Sequence, residues 1–203
     1  GEHLYDMFAK TLEARSVHYE VKFEDMTVDY VKGDELRLSQ VIINFLSNAV
    51  KFTKEGEITV TFRQMMLQNG KADLMICVHD TGIGMKTEFI SRIFRPFEQE
   101  GEHITKEYGG SGLGMAITDN LVRLMGGEII VKSKQGEGSD FTVFISLPVA
   151  EPEEAAAPAA AAAAGQKEEN ENAFRGRRIL MAEDNEINAI VAVEFLNEMG
   201  AEV

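Results

Sequence analysis

A single cysteine, Cys77, occurs in 203 residues. One thiol excludes an internal disulfide framework and suits a reducing compartment. Cys77 lies in an apolar, strand-like run and reads as a core residue. Long apolar stretches are missing too: no 18 apolar residues run together, so no segment is expected to cross a membrane. Residues 1–12 are too charged for a secretory signal, although a parent protein could still be anchored upstream. No tandem repeat is visible. Positive charge is scarce, with 20 basic against 34 acidic side chains and a net charge of −14. Such a balance disfavours non-specific nucleic-acid binding. The excess is uneven, with 22 acidic against 16 basic groups in residues 1–149 and 12 against 4 beyond them. Any phosphate ligand must therefore be held locally, by backbone groups, a few lysines and a metal. Apolar residues make up 44% of the chain, normal for a globular core in one or two domains.

What the chain does have is glycine, in two clusters. Asp80-Thr81-Gly82-Ile83-Gly84 ends an apolar run, and Gly109-Gly110-Ser111-Gly112-Leu113-Gly114 opens into a helical pattern. Phe94-Arg95-Pro96-Phe97 lies between them. Glycine permits close backbone approach and positive φ. A glycine-rich turn feeding a helix N-terminus presents free N–H groups and a favourable dipole to phosphate. Asp80, at a strand end, is placed to accept from an adenine amino group; capping its own turn is the plainer alternative. Each cluster alone is a weak signal, and the ordered combination is far more specific.

Residues 2–15 place Leu4, Met7, Phe8 and Leu12 at helical spacing, as a surface helix or the tail of a longer one. Residues 17–24 alternate as a strand with His18 on the polar side. Asp34 is a good N-cap for a helix running to about Thr53. Leu38, Val41, Ile42, Phe45, Leu46, Ala49 and Phe52 suit its core face. Arg37, Gln40, Asn44, Asn48 and Lys51 form a polar stripe. That stripe is either a solvated face or a site wall in which an amide oxygen ligates magnesium and Lys51 meets phosphate; magnesium needs few protein ligands. Residues 57–67 and 72–80 read as strands joined by Asn69-Gly70, a hairpin signal. A short helix is expected over 86–93. Residues 98–108, charged and without apolar period, read as a mobile lid. A helix over 113–125, with Leu113, Ala116, Ile117, Leu121 and Leu124 as its apolar positions, ends at Gly126-Gly127. Strands over 128–134 and 139–147 follow, the last stopped by Pro148. His79 and His103 need no special role.

Residues 149–173, rich in Ala, Pro and Glu, cannot bury enough surface to fold and read as a tether. Residues 177–185 then give a basic start, an apolar strand and an acidic end, followed by an amphipathic helix over 187–199. One strand and one helix cannot make a core, so this reads as the opening third, at most, of an α/β domain.

Residues 34–53, DTGIGM, IFRPFEQ and GGSGLGMAI together resemble the N box, first glycine box, F box and second glycine box of sensor histidine kinases, in family order over residues 2–148. The family belongs to the ATP-binding superfamily shared with gyrase, Hsp90 and MutL. The resemblance implies a two-layer α/β sandwich of Bergerat type, a mixed, mostly antiparallel sheet under three main helices. It implies ATP and Mg²⁺ as ligands. By this likeness Asn48 ligates magnesium with Asn44 assisting, Lys51 contacts phosphate and Phe52 lies near the adenine. Asp80 binds the adenine amino group, Gly82 and Gly84 shape that turn, and Gly110, Ser111, Gly112, Leu113 and Gly114 wrap the phosphates. Cousins that hydrolyse ATP carry a glutamate at position 44; Asn44 cannot be a general base. That favours transfer to a histidine on a partner dimerisation hairpin over two rival readings, an ATPase driving conformational change and a non-catalytic nucleotide-binding module. Residues 177–203 look like the start of a response-regulator receiver domain, with Glu183 and Asp184 as its metal-binding acidic pair. The implied organisation is a linker helix (1–15), a catalytic ATP-binding domain (16–148), a linker (149–174) and a truncated receiver start (175–203), all cytoplasmic and bacterial. Implied partners are the histidine-bearing hairpin and receiver domains, without nucleic acid or direct membrane contact. His3, His18, His79 and His103 lack the family's phosphoacceptor context, so the chain alone is not expected to autophosphorylate.

Overall fold

The computed structural model describes residues 12, 16–100, 112–151, 174, 176–182, 193, 196 and 200–202. The chain divides into two compact units, Gly1–Val149 and Ala150–Val203.

In the first unit, five strands form one sheet in the order β1-β2-β3-β5-β4. They are β1 (Val17–Glu24), β2 (Gly56–Gln68), β3 (Lys71–Asp80), β4 (Glu128–Lys134) and β5 (Gly138–Pro148). Helix α1 (Glu35–Phe52) connects β1 to β2, which run parallel, as a crossover through a helix requires. Every other pairing is antiparallel. The short α2 (Thr87–Ile90) and the longer α3 (Gly114–Leu124) fall between β3 and β4.

Local chemistry sets these elements. Asp34 caps α1 by accepting from Arg37 N at 3.1 Å. Asn69 and Gly70, at φ 52° and 71°, form the β2–β3 turn in the left-handed conformation that a two-residue hairpin favours. Gly126, at φ 75°, ends α3, with Gly127 N donating to Val122 O.

The core lies between α1 and one sheet face. Val41, Phe45, Leu46 and Val50 of α1 are buried, as are Ile58, Val60, Ile76, Val78, Phe141 and Val143 of the sheet. Phe45 stacks on Phe141 with centroids 5.1 Å apart. At about 1.5–3 kcal/mol per fully buried large apolar side chain, this face outweighs the marginal stability of an isolated helix.

Two expectations need correction, and one about Pro148 holds. Cys77 is half-buried, on the face opposite Ile76 and Val78, because strand side chains alternate. Its thiol accepts from Thr142 Oγ1, and partial burial raises its pKa, which keeps it protonated. As expected, β5 ends at Pro148; its carbonyl accepts from Lys32 N, and Val149 makes an isolated bridge to Val31. Proline lacks only the donor, so an acceptor-side pairing survives. On α3 the buried positions are Ala116, Thr118 and Val122, while Ile117 and Leu124 face outward.

Of the expected N-terminal helix, only Leu12 is described; it is helical and buried. Residues 101–108 of the expected lid, Gly109, Gly110, Ser111, and the Glu183–Asp184 pair lie outside the described residues. In the second unit a parallel bridge pairs Arg178 with Glu202. Ile179 N donates to Glu202 O, and Glu202 N to Arg177 O. No described helix is long and apolar enough to cross a membrane.

The glycines differ in what surrounds them. A Cβ on Gly70 meets nothing within 4 Å, whereas one on Gly138 sits 1.9 Å from Asp80 O, at φ +112°. Gly70→Ala is expected to cost about 1 kcal/mol and Gly138→Ala roughly 3–5 kcal/mol in urea denaturation. Equal costs would contradict the packing described.

Candidate functional site

Asp80 is the last residue of β3, paired with Ile58 on one side and Ser139 on the other. Only 4% of its surface is exposed. Its Oδ1 accepts from Gly82 N at 2.9 Å. Burial pushes its pKa up to about 6, against the opposing pull of the Gly82 amide and of His79. The turn that follows is packed backbone to backbone. A Cβ on Gly82 would sit 2.5 Å from Phe52 O, and one on Gly84 would sit 2.0 Å from Lys134 O. Ile83 N donates to Phe52 O, which ties this turn to the C-terminal end of α1.

The polar stripe of α1 divides in two. Arg37 and Gln40 are exposed, but Asn44, Asn48 and Lys51 are half-buried because α3 lies alongside. Asn44 Nδ2 donates to Thr118 Oγ1 at 2.7 Å, and Thr118 is itself buried. Asn44 Nδ2 and Asn48 Nδ2 lie 3.7 and 3.6 Å from Met115 Sδ. Gly114 packs directly against Asn44, since a Cβ there would stand 2.7 Å from Asn44 Oδ1 and would push that amide aside. The geometry thus gives Asn44 a clamp between α1 and α3. For Asn48, the planar amide turns its nitrogen to a weak sulfur acceptor and carries its oxygen on the other branch. Lys51 Nζ stands 5.2 Å from the Phe52 ring centroid.

Phe97 meets Gly112. Its amide donates to Gly112 O at 3.0 Å, and a Gly112 Cβ would lie 3.0 Å from the Phe97 backbone. Phe97 has φ 64°, and its side chain is exposed. Leu113 precedes α3 and is half-buried. The two ends of the intervening segment are therefore pinned through main-chain atoms.

Among the described residues, no three His, Cys, Asp or Glu side chains cluster to hold a metal. The amide oxygen of Asn48 is a ligand type that magnesium accepts, and magnesium fills much of its shell with water and nucleotide phosphates.

Some residues of this site escape a reading of the sequence: Thr118 and Met115 from α3, and Ser133 and Gly138 from β4 and β5. Met115 lies within GGSGLGMAI, but nothing in the chain pairs it with α1; the places of Ser133 and Gly138 follow from strand order, and those of Met115 and Thr118 from α3 lying against α1.

The family model described as Histidine kinase-, DNA gyrase B-, and HSP90-like ATPase matches residues 33–150. Over 177 residues the chain is 37% identical to the autoinducer 2 sensor kinase/phosphatase LuxQ of Vibrio cholerae serotype O1, covering 87% of this chain and 20% of that protein. It is 34% identical over 175 residues to the signal transduction histidine-protein kinase BarA of Escherichia coli K12, covering 86% and 18%. The chain spans about a fifth of the length of these curated relatives. Among solved structures, full-length ShkA in complex with AMPPNP aligns with a TM-score of 0.61 at 23% identity, covering 99% of this chain and 37% of that one. The catalytic domain of the histidine kinase ThkA in a nucleotide-free form aligns with a TM-score of 0.55 at 23% identity, covering 71% and 90%. These structures share the fold.

The Asp80 carboxyl makes a pH prediction. Its folded pKa of about 6 exceeds the ordinary 3.8, so the fold favours the neutral acid. That contribution is complete below the ordinary value and is lost as pH rises through about 6. Asp80→Asn is therefore expected to be more stable than the parent at pH 8 by about 2–3 kcal/mol in urea denaturation, with the gap closing by about pH 4. A gap independent of pH would contradict it.

Proposed function

Because this chain belongs to the family of histidine kinase-, DNA gyrase B-, and HSP90-like ATPases, we propose that it is the ATP-binding catalytic domain of a hybrid sensor histidine kinase. It passes the γ-phosphoryl group of ATP to a histidine on a dimerisation hairpin. The observation that carries this reading is the join between the buried Asp80 turn and the Asn48–Lys51 end of α1, through Ile83 N and Phe52 O. A carboxylate suited to an amino group and a pair suited to a metal-bound triphosphate thereby sit on one rigid support.

In this reading Asp80 accepts from the adenine amino group, Phe52 lies near the ring, and Gly82 and Gly84 let the base approach. Asn48 holds magnesium through its amide oxygen and Lys51 meets phosphate. Gly110, Ser111, Gly112, Leu113 and Gly114 wrap the phosphates. Magnesium, when bound, neutralises phosphate charge. The incoming imidazole uses a nitrogen lone pair to form the P–N bond as the bond to the bridging oxygen breaks and ADP leaves. No general base is required for that attack, which agrees with an asparagine at position 44. Such transfer is mainly positioning and electrostatics.

The same reading gives the chain four parts: 1–15, 16–148, 149–174 and 175–203. The last is the start of a receiver domain, with Glu183 and Asp184 as its acidic pair. The parallel bridge between Arg178 and Glu202 supports it, since a strand–helix–strand unit pairs its strands that way. Receiver domains and the histidine hairpin are then the partners, in the cytoplasm.

Asp80→Ala is expected to abolish ATP binding in calorimetry. In the parent, affinity should fall as pH drops through about 6, because the protonated carboxyl no longer offers both oxygens as acceptors. Affinity flat from pH 8 to 5 would contradict the adenine role. With the upstream hairpin and labelled ATP, acid-labile phosphate should appear on the hairpin. Asn48→Ala should slow that transfer more than it weakens adenine binding; unchanged transfer would remove Asn48 from the metal site.

A further inference from the structure

Ser133 of β4 lies at the centre of three hydrogen bonds that the proposed nucleotide chemistry does not use. Its Oγ accepts from Met85 N at 2.9 Å. It donates to Gly138 O at 2.8 Å. It pairs with Ser139 Oγ at 2.9 Å, where either oxygen could be the donor. A serine hydroxyl has one proton. With that proton on Gly138 O, Ser139 must be the donor to Ser133. The direction of the chain of bonds is thereby fixed, from Ser139 to Ser133 to Gly138.

Ser133 pairs with Ser139 in the β4–β5 ladder, and Ser139 pairs with Asp80 in the β3–β5 ladder. The three residues form one row across three strands. Directly opposed residues point to the same face, so both hydroxyls share the face of the Asp80 carboxylate. Met85 ends the turn that Asp80 begins. At its start the turn is held to β2, with Thr81 N donating to Glu57 O and Thr81 Oγ1 accepting from Glu57 N. In its middle, Ile83 bonds both Phe52 O and Gly136 N. At its far end, Ser133 is the side chain that holds Met85.

We propose that Ser133 is a positioning residue for the adenine end of the site: it fixes the Gly82–Met85 turn, and so the Gly82 N–H that aims the Asp80 carboxylate. This rests on the adenine role of Asp80 argued above. Without the Ser133 hydroxyl, Met85 N loses its partner, and the far end of the turn keeps only the Lys86 N contact to Glu100 one residue on. The phosphate end of the site, built on α1 and the second glycine cluster, has no such dependence. The effect should therefore divide the ligand, weakening the base and sparing the phosphates.

The test is calorimetric titration of the full chain and its Ser133→Ala and Ser133→Thr variants with adenosine, ADP and inorganic triphosphate plus magnesium. Ser133→Ala is expected to bind adenosine and ADP about fivefold to tenfold more weakly, about the worth of the one bond of the three that holds Met85, with triphosphate binding unchanged. Ser133→Thr keeps the hydroxyl and is expected to keep the parent's affinities. Thermal melting checks that each variant is folded; should the alanine variant be unfolded, Ser133→Cys, which keeps the volume and weakens the hydrogen bonds, is titrated instead. Adenosine binding equal to the parent's overturns the proposal, as does an equal loss for adenosine and triphosphate or a loss that Ser133→Thr does not recover. If the parent binds adenosine throughout, that failure belongs to Ser133 and the adenine role of Asp80 stands. A parent that does not bind adenosine overturns both.

Discussion

A carboxylate at the buried end of a central strand is the constraint around which this unit is arranged. Asp80 would rather be neutral where it sits, because burial removes the water that stabilises its charge. The structure offsets this with backbone donors from the turn that follows. Main-chain segments can approach so closely only where side chains are absent, and this accounts for Gly82, Gly84 and Gly138. Each of them has a neighbouring carbonyl within 2.5 Å of where a Cβ would stand. The glycines are there because three pieces of backbone meet: the end of α1, the turn after β3, and the β4–β5 hairpin.

That meeting point links two halves of the site that are distant in sequence. The last turn of α1 carries Lys51 and Phe52, and the Phe52 carbonyl receives the Ile83 amide. One turn earlier, Asn48 and Asn44 lie against α3 through Met115 and Thr118. Hence α1 is a shared wall, touching the turn after Asp80 at its end and α3 along its flank. A shift of α3 would be felt at both asparagines, because Met115 and Thr118 are their partners. Rigid support of this kind is what phosphoryl transfer asks of a protein, since positioning contributes much of the rate.

Much of this could be read from the chain, where the signals are local. Asp34 as a cap, Asn69-Gly70 as a hairpin and Asp80 at a strand end each depend on a few neighbouring residues. The core face of α1 follows from its period. What escaped notice depends on strand order. Because β5 inserts between β3 and β4, Ser139 and Ser133 join the row of Asp80, and nothing within either strand announces it. Cys77 was misplaced for a related reason: β3 reads as continuously apolar, so its period of two does not say which face is covered. The outward turn of Ile117 and Leu124 shows the same limit on α3, where the buried polar Thr118 takes a place that apolarity alone would have given to a neighbour. The α1 stripe was ambiguous until the position of α3 divided it into a solvated part and a walled part.

The central claim concerns the charge state of one side chain, and a carbon-13 NMR titration of the Asp80 carboxyl reads that state directly. A midpoint near 6 is expected in the ligand-free chain. A lower midpoint is expected when an adenine nucleotide is bound, because a ligand that prefers the carboxylate draws the equilibrium toward it. A midpoint in the ordinary aspartate range that nucleotide leaves unmoved would contradict the account.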